Sequence, residues 1–328
     1  MTGAVLAVIS AAIFGFQNAA ARRAVVSATP LQGMMITVPP MVPFLAVICY
    51  AMNGFAAMTT WPAGCYALAG LAGVMHFVIG RNSNYHSMRA LGSTLSTPIQ
   101  QLSTVFSLCL AVGILHESLS GLNIVGIILV SIGPALLIGR RKALAQSKDG
   151  SSFVPDLRTG VLHGFVCVIG YGSSPILIVL SLQILGPDAP KLANSTAILF
   201  FSYFCAAICV GIMGGFQRDK IALGSMQRSG FNWFLLSGIM IAVSQVFRYG
   251  ALAFAPVAVV VPIQRLSVIF RLLFNAVINR AYERFDPSIV LGIFLSVIGV
   301  AALGIDTETA LGWLSLPPGL SAVLNWRL

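Results

Sequence analysis

Long apolar runs recur along this whole chain, and they constrain its fold more than any other feature. A helix needs roughly 20 mostly apolar residues to cross the ~30 Å hydrocarbon core of a bilayer. The sequence therefore predicts an all-α integral membrane protein with ten transmembrane helices. Their expected bounds are Gly3 to Ala21, Leu31 to Tyr50, Ala63 to Gly80, Ala90 to Leu115, Leu122 to Ile138, Gly160 to Leu182, Leu192 to Gly215, Phe231 to Tyr249, Ala251 to Ile278 and Ser288 to Ile305.

The composition supports a membrane location and excludes a soluble domain. Of the 328 residues, 57% are hydrophobic and only 9% are charged, whereas soluble globular domains carry about 25% charged residues. The six cysteines lie in apolar surroundings and form no CxxC pair. This pattern indicates buried small side chains rather than disulfides or metal ligands, and we expect no cofactor.

The two halves of the chain are related by sequence. Residues 98–103 match residues 262–267 at five of six positions, and Phe106 meets Phe270 at the same offset of 164. Because each half holds five predicted helices, an odd number, the second repeat must be inverted relative to the first. This is a common plan of secondary transporters, with the cargo site near the midplane between the repeats. The expected segments are residues 1–139 (first repeat), 140–159 (polar basic linker), 160–305 (second repeat) and 306–328 (short tail).

Four short motifs follow one another along the chain. They are Gly15 to Arg22, Arg89-Ala90-Leu91-Gly92-Ser93, His116-Glu117-Ser118-Leu119 and Tyr282-Glu283-Arg284-Phe285. In this order and spacing the chain resembles the drug/metabolite transporter (DMT) superfamily, and within it the ten-helix proteins with two EamA-type domains. The resemblance implies that both repeats are EamA-type domains and that the chain transports a small solute. It does not identify the solute, since the cargoes of the family range from amino acids and sugar phosphates to drugs and lipid-linked sugars.

Lys and Arg are unevenly distributed over the predicted loops. Fourteen lie on the side of the linker, and only Lys191, Arg248 and Arg327 lie on the other. By the positive-inside rule the linker is cytoplasmic and both termini are outside, in a cell (inner) membrane. The net charge of +10 is then explained by topology and by attraction to anionic lipid, so we expect no nucleic-acid partner.

Polar side chains inside the predicted helices are candidates for substrate binding, because such groups tend to face a bundle interior or a cavity. The fourth and ninth helices each carry a polar stripe at three- or four-residue spacing, and the first helix adds one candidate. Related stripes in inverted halves are expected to face each other across a central cavity. The alternative is that they only hydrogen-bond neighbouring helices. The candidates are Gln100, Ser103, Gln264, Ser267, Arg271 and Gln17.

Arg265, near the middle of the predicted ninth helix, is the most specific candidate. An arginine at the centre of a span costs roughly 2.5 to 3.5 kcal/mol on insertion scales, and no Asp or Glu lies in the core of a predicted helix to pair with it. We expect Arg265 to face the cavity and to bind a carboxylate, phosphate or sulfonate of the cargo. Arg271 could instead snorkel towards a membrane surface.

The sequence thus predicts a secondary transporter that moves a small metabolite, an organic anion or zwitterion, by alternating access. A flippase for a lipid with an anionic head group is the alternative. A membrane enzyme is disfavoured because the chain has no HExxH or GxSxG motif. His76 and His163 could relay protons, although a packed, hydrogen-bonded histidine is the commoner case. The expected partners are the substrate and the bilayer, and the chain could be a monomer or a homodimer.

Overall fold

The structure is a computed structural model that describes residues 2–116, 120–122, 124–126, 128–129, 132, 155–217, 226–280 and 287–304. Its long helices run through these ranges in chain order. They are α1 (Thr2–Val25), α2 (Pro30–Thr37 and Met41–Ala51), α3 (Ala63–Leu91), α4 (Ser93–Leu115), α5 (Leu157–Ile184), α6 (Lys191–Phe216), α7 (Arg228–Phe254), α8 (Val257–Arg265 and Ser267–Ile278) and α9 (Pro287–Gly304).

Eight of the described helices, α1 to α8, are long and apolar enough to cross a membrane. The predicted all-α membrane fold is therefore confirmed. The predicted fifth helix at 122–138 falls mainly outside the described residues, as do most of the linker and the whole of the tail. Predicted helices six to ten consequently correspond to α5 to α9.

The third helix is longer than predicted. Hydropathy ends it at Gly80, but α3 continues to Leu91 through a polar stretch that the sequence analysis treated as a loop. This stretch is helical because its side chains find partners inside the bundle, and Asn84 and Tyr85 are 1% and 0% exposed. Before it, the chain makes a π-helical segment at Val74–Gly80, a type of distortion that is frequent at functional sites.

Very short joints connect α3 to α4 and α7 to α8. Gly92 has φ 82° and ψ 165°, a region essentially restricted to glycine, so the predicted start of the fourth helix at Ala90 is wrong. Pro256 has φ −58° and ψ 156° and follows the end of α7 at Phe254. The residue before a proline is pushed out of the helical region, which explains why the predicted ninth helix, placed from Ala251, starts later.

Asp156 caps the start of α5, which therefore begins inside the predicted linker. Its Oδ1 accepts a hydrogen bond from the backbone N–H of Thr159 at 3.2 Å, the usual N-cap arrangement. Hydrogen bonds from the Thr159 side chain and backbone lower the pKa of the Asp156 carboxyl group. The carboxylate thus remains ionised at a helix N-terminus, where the helix dipole favours negative charge.

Two close contacts relate the two halves of the chain. α1 packs on α8 at Gly15, where an added Cβ would lie 2.5 Å from Cβ of Phe270. α5 packs on α4 at Gly172, where an added Cβ would lie 2.6 Å from Cδ1 of Phe106. The glycines are related by an offset of 157 residues and the phenylalanines by 164. The first helix of each half thus packs on the fourth helix of the other half through equivalent positions.

Candidate functional site

A small cavity lies between α1, α3, α5, α7 and α8. Its volume is about 30 Å³, which is room for one or two water molecules. His76 is the 14th of 29 residues in α3 and Tyr171 the 15th of 28 in α5, so the cavity lies halfway along these helices. The lining residues are Phe14, His76, Tyr171, Pro175, Gln245, Arg248, Val261, Gln264 and Arg265.

Arg248 is held in the cavity wall by neutral oxygens from three helices. Its Nε donates to Oε1 of Gln264 and its Nη1 to Oε1 of Gln245, each at 3.1 Å. Both Nη atoms also lie 3.5 Å from Oγ of Ser174. The predicted helix Phe231 to Tyr249 contains Arg248, but the charge count treated it as a loop charge. That count is wrong for Arg248, because α7 continues to Phe254 and the residue is 4% exposed inside the bundle.

Arg265 lines the same cavity but has no protein partner among the described residues. Its guanidinium forms no hydrogen bond there, and its Nε is buried and unpaired. The acidic side chains that the structure describes are Asp156 and Asp188, and neither lies in a helix. Arg265 as a whole is partly exposed, so its guanidinium can accept water or an anion as a partner. Binding of cargo by Arg265 stays a prediction.

Gln264 connects the arginine cluster to α1. Besides accepting from Arg248, it donates its Nε2 to Oγ of Ser10 at 2.9 Å. Ser10 and Ser244 form a reciprocal pair, in which each hydroxyl donates to the backbone oxygen of the other, at 2.8 and 2.9 Å. These bonds join α1, α7 and α8 beside the cavity.

Arg271 and Gln100 form a second polar cluster, between α8 and α4. Arg271 donates its Nη1 to Oε1 of Gln100 at 2.8 Å, its Nη2 to Oγ of Ser96 at 3.1 Å and its Nε to Oγ of Ser93. It is 4% exposed, so it stays inside the bundle and does not snorkel to a surface. The two polar stripes meet here through direct hydrogen bonds rather than across an open space.

Asn84 and Tyr171 connect the second cluster to the cavity. Nε2 of Gln100 donates to Oδ1 of Asn84, and Nδ2 of Asn84 donates to the Tyr171 hydroxyl at 3.3 Å. The Tyr171 ring lies 4.6 Å from the ring of His76, measured between centroids. A continuous polar path therefore runs from Arg271 to the cavity wall.

Besides Gln100 and Arg271 of the second cluster, the other three predicted site residues also lie away from the cavity lining. Ser103 donates to the backbone oxygen of Gln100 in its own helix at 2.6 Å. Ser267 is 6% exposed and lies at the close contact between α8 and α1. Gln17 donates its amide at 2.9 Å to a serine hydroxyl of α7. For these three residues the geometry supports helix packing.

Sequence reasoning missed Arg248 and Gln245 as lining residues, although the repeat contained a signal for the first. Arg248 follows Asn84 by 164 positions, and Gln264 follows Gln100 by 164 positions. In each half the two residues are hydrogen-bonded to each other: Asn84 to Gln100 in the first, and Arg248 to Gln264 in the second. Extending the repeat comparison through the polar end of α3 would have paired Arg248 with Asn84 and made it a candidate site residue rather than a loop charge.

A further buried arginine, Arg81, lies outside the cavity lining. It donates Nη1 to the backbone oxygen of Thr37 and Nη2 to the hydroxyl of Tyr203, both at 2.9 Å. Its guanidinium carbon also lies 4.9 Å from the centroid of the Phe77 ring, within range of a cation–π interaction. The assignment of Arg81 to a loop is therefore wrong.

The buried arginines alter the count of loop charges. Arg22 is 1% exposed and donates to the backbone oxygen of Met88 at 2.7 Å. Removing Arg22 and Arg81 from the fourteen leaves twelve charges on the linker side, and removing Arg248 from the three leaves two on the other. The asymmetry between the two sides is thus retained.

Wider grooves lie at the end of the bundle opposite to the linker. The larger has a volume of about 890 Å³ and is lined by the ends of α2 and α5 and the start of α6. A neighbouring groove of about 350 Å³ reaches Leu252 and Ala253 of α7. Leu252 is four residues, or about 6 Å of helix, beyond Arg248. The arginine pair therefore lies close beneath these grooves.

Comparisons with known proteins agree with the fold. The model of the EamA-like transporter family matches residues 1–139, so the resemblance stated from the motifs is confirmed over this range, and that family consists of transporters rather than enzymes. Twelve chains of solved structures match. One of them, a crystal structure, is 14% identical with a TM-score of 0.61, and the match covers 96% of this chain and 99% of that one. At that identity the likeness shows the fold alone. Comparison with the curated proteins gave no match.

Proposed function

We propose, on the premise that residues 1–139 are an EamA-like transporter unit, that this chain is a secondary transporter of a small organic anion or zwitterion. It carries its cargo across the cell membrane by alternating access. The observation that supports this proposal best is the pair of arginines, Arg248 and Arg265, lining one cavity halfway along the helices.

Electrostatics favours an anionic cargo at this pair. Arg248 already has three neutral partners, whereas Arg265 has none among the described residues. The two guanidinium groups line one cavity, and charges of the same sign repel. A carboxylate, phosphate or sulfonate between the two guanidinium groups would reverse this repulsion and accept charge-assisted hydrogen bonds from both.

The small volume of the cavity supports an occluded step of an alternating-access cycle. A volume of about 30 Å³ cannot hold a metabolite, so the helices must separate before cargo enters. Towards the linker, Oγ of Ser87 donates a hydrogen bond to the backbone oxygen of Gly160 at 2.9 Å. Towards the opposite end, Nε1 of Trp61 donates to Oδ1 of Asn194 at 2.8 Å. Breaking one set of contacts while keeping the other would open the cavity to one side at a time.

The remaining parts of the proposal follow from the sequence. We take residues 1–139 and 160–305 as inverted repeats, joined by the cytoplasmic linker at 140–159. The twelve-to-two distribution of loop charges supports this orientation. The close contacts at Gly15 and Gly172 support the equivalence of the two repeats.

The decisive experiment is a thermal-shift screen of the purified protein against carboxylate, phosphate and sulfonate metabolites, each paired with a neutral analogue. A ligand that binds only the folded state raises the apparent stability, by about 2.7 kcal/mol at 100 times its Kd. Compounds that bind are then tested for flux in proteoliposomes. The alternative function is tested in the same vesicles with a fluorescent lipid that carries an anionic head group.

Arg265→Gln copies Gln101, the equivalent position of the first repeat, and removes no hydrogen bond to the described residues. We expect it to fold and to lower anion affinity about tenfold or more, in line with ~1.5 to 3 kcal/mol for a hydrogen bond to a charged group. Arg228→Gln, an exposed position with the same change of charge, is the control. Unchanged affinity in folded Arg265→Gln, or movement of the lipid without movement of any metabolite, would reject the proposal.

A further inference from the structure

His76 has an arrangement that fixes its protonation state in the closed cavity. Its Nε2 lies 3.1 Å from Nε2 of Gln245, and the other end of that carboxamide, Oε1, accepts from Arg248. Because the Arg248 contact orients the amide and an amide nitrogen only donates, Nε2 of His76 is an acceptor. The imidazole is therefore neutral, with its proton on Nδ1, which is buried and has no hydrogen-bond partner in the described part of the chain.

We propose that His76 is the proton site of the transporter, neutral while the cavity is empty and protonated when an anion binds between Arg248 and Arg265. Anion and proton then cross the membrane together. This inference rests on the proposed function and adds to it the coupling ion and the residue that carries it.

The charged and titratable groups around His76 support this linkage. They are Arg81 on the same helix, with its partner Tyr203 on α6, Tyr171 on α5, Arg248 on α7 and Arg265 on α8. Among the described helices none carries an Asp or Glu. Two guanidinium groups in the lining of the cavity oppose a third positive charge while the cavity is empty. A bound anion removes this opposition, because it places a negative charge among the three cations.

The side-chain amide of Gln245 links anion binding at Arg248 to protonation of His76. In the closed cavity its Oε1 is committed to Nη1 of Arg248, so it offers His76 only its amide nitrogen. When an anion takes over Nη1 of Arg248, the carboxamide is free to exchange its two ends. Oε1 then accepts a hydrogen bond from the protonated Nε2 of His76. Exchange of the amide before the anion binds is disfavoured, because it would point the amide N–H groups of Gln245 at the N–H donors of Arg248.

The proton balance of the cycle is simple. On the side where the cavity opens, one anion enters and one proton passes from water to Nε2 of His76. On the other side, the anion leaves Arg248 and the proton returns from His76 to water, while Gln245 again donates to Nε2. For a monoanion this cycle moves no net charge, so a pH gradient drives it and a membrane potential does not.

The first test follows His76 by nitrogen NMR in protein labelled with [15N]histidine, where His76→Gln identifies its signal among those of the four histidines. Arg265→Gln and Arg248→Gln each remove one opposing charge. In both, His76 should take up its proton at a pH about one unit or more above that of the parent, whereas the exposed Arg228→Gln should leave it unchanged. An unshifted signal in Arg265→Gln, which loses no hydrogen bond to the described residues, would overturn the proposal even if Arg248→Gln does not fold.

The second test uses methanesulfonate, a monoanion that does not titrate between pH 6 and 8. Added to weakly buffered protein, it should cause uptake of about one proton per molecule bound in the parent, and none in His76→Gln that still binds it. Binding by the parent without proton uptake overturns this inference and leaves the proposed function intact. If neither methanesulfonate nor any anionic metabolite binds, the proposed function itself fails and the inference falls with it.

Discussion

Nε of Arg248 donates to Oε1 of Gln264 across 3.1 Å, and the residues 164 positions earlier, Asn84 and Gln100, are hydrogen-bonded to each other as well. The same connection between a third and a fourth helix thus occurs in both halves of the chain. In the first half both partners are neutral amides, and in the second half one is a cation. The two halves therefore share this hydrogen-bonded connection, and the cavity differs between them because the second half carries the positive charge.

Gln264 should matter far more than Ser103 for anion binding. Gln264→Leu removes the acceptor of Arg248 and the donor to Ser10, and we expect it to lower anion affinity about tenfold and the free energy of unfolding by ~1 to 3 kcal/mol. Ser103→Ala removes only a bond within α4 and should change affinity less than about twofold. Isothermal titration with the anion found in the screen measures both. Equal effects of the two substitutions would contradict the placement of the cavity.

Arg81 should support stability rather than binding. Arg81→Ala leaves the Thr37 carbonyl and the Tyr203 hydroxyl without their donor, and we expect a loss of ~2 to 3 kcal/mol in the free energy of unfolding. Tyr203→Phe retains the ring next to the guanidinium and should lose about half as much. Thermal unfolding in detergent tests the order of the two variants. A stable Arg81→Ala protein that no longer binds anions would move Arg81 into the binding site.

Gly73 lies at the tightest contact between α3 and α6. A Cβ at this position would lie 2.1 Å from the backbone oxygen of Ser202, a contact that only a displacement of the helices could relieve. Gly73→Ala should therefore lower the unfolding temperature strongly, since overpacking typically costs ~1 to 3 kcal/mol. The control is Gly211→Ala on α6, where an added Cβ meets no described residue within 4 Å. We expect this variant to be neutral or slightly more stable, because alanine favours helix over glycine.

A fusion reporter tests the orientation. With twelve basic loop residues on the linker side and two on the other, we expect the linker to be cytoplasmic and Leu328 to be outside. A reporter that is active only in the cytoplasm should be silent after Leu328 and active when inserted at Gly150. The reverse pattern would show that the chain is inserted in the opposite orientation.

Transport should not depend on any single acidic side chain, because neither of the two acidic residues that the structure describes lies in a helix. Replacement of each acid by its amide should leave anion flux within about twofold of the parent. Asp156→Asn is also expected to keep the start of α5, since Asn caps helices as well as Asp does. A folded amide variant without flux would identify a carboxylate in the cycle and contradict the assignment of coupling to His76. The positions are Glu117, Asp149, Asp156, Asp188, Asp219, Glu283, Asp286, Asp306 and Glu308.

Hydropathy located the apolar helices well, and it failed where polar side chains are buried. The predicted helix Leu192 to Gly215 differs from α6, Lys191–Phe216, by one residue at each end. The polar end of α3 was missed because Arg81 is stabilised by oxygens of α2 and α6, which are distant in sequence. A window average counts such a residue as a loop charge and cannot register its partners.

The site was predictable to the extent that it follows the repeat. The polar stripe of the ninth helix gave Gln264, the one difference between the matched hexapeptides gave Arg265, and both line the cavity. The sequence could not separate these residues from Ser103, which belongs to the same stripe, because side-chain direction depends on the packing of α4 against α5. Arg248 was lost for a different reason: its position near the end of a predicted helix made it look like a boundary charge.

The two joints described above differ in stiffness, and this difference affects how the arginines can move. Gly92 has no Cβ, so the joint between α3 and α4 can adopt a wide range of backbone angles. Between α7 and α8, the ring of Pro256 locks φ, and Ala255 before it is confined to extended conformations, as its φ of −148° and ψ of 152° show. The hairpin that bears Arg248 and Arg265 should therefore rotate as one rigid arm. The distance between the two guanidinium groups would then stay constant while the rest of the protein moves. The size of anion that can bind both groups at once would stay constant with it.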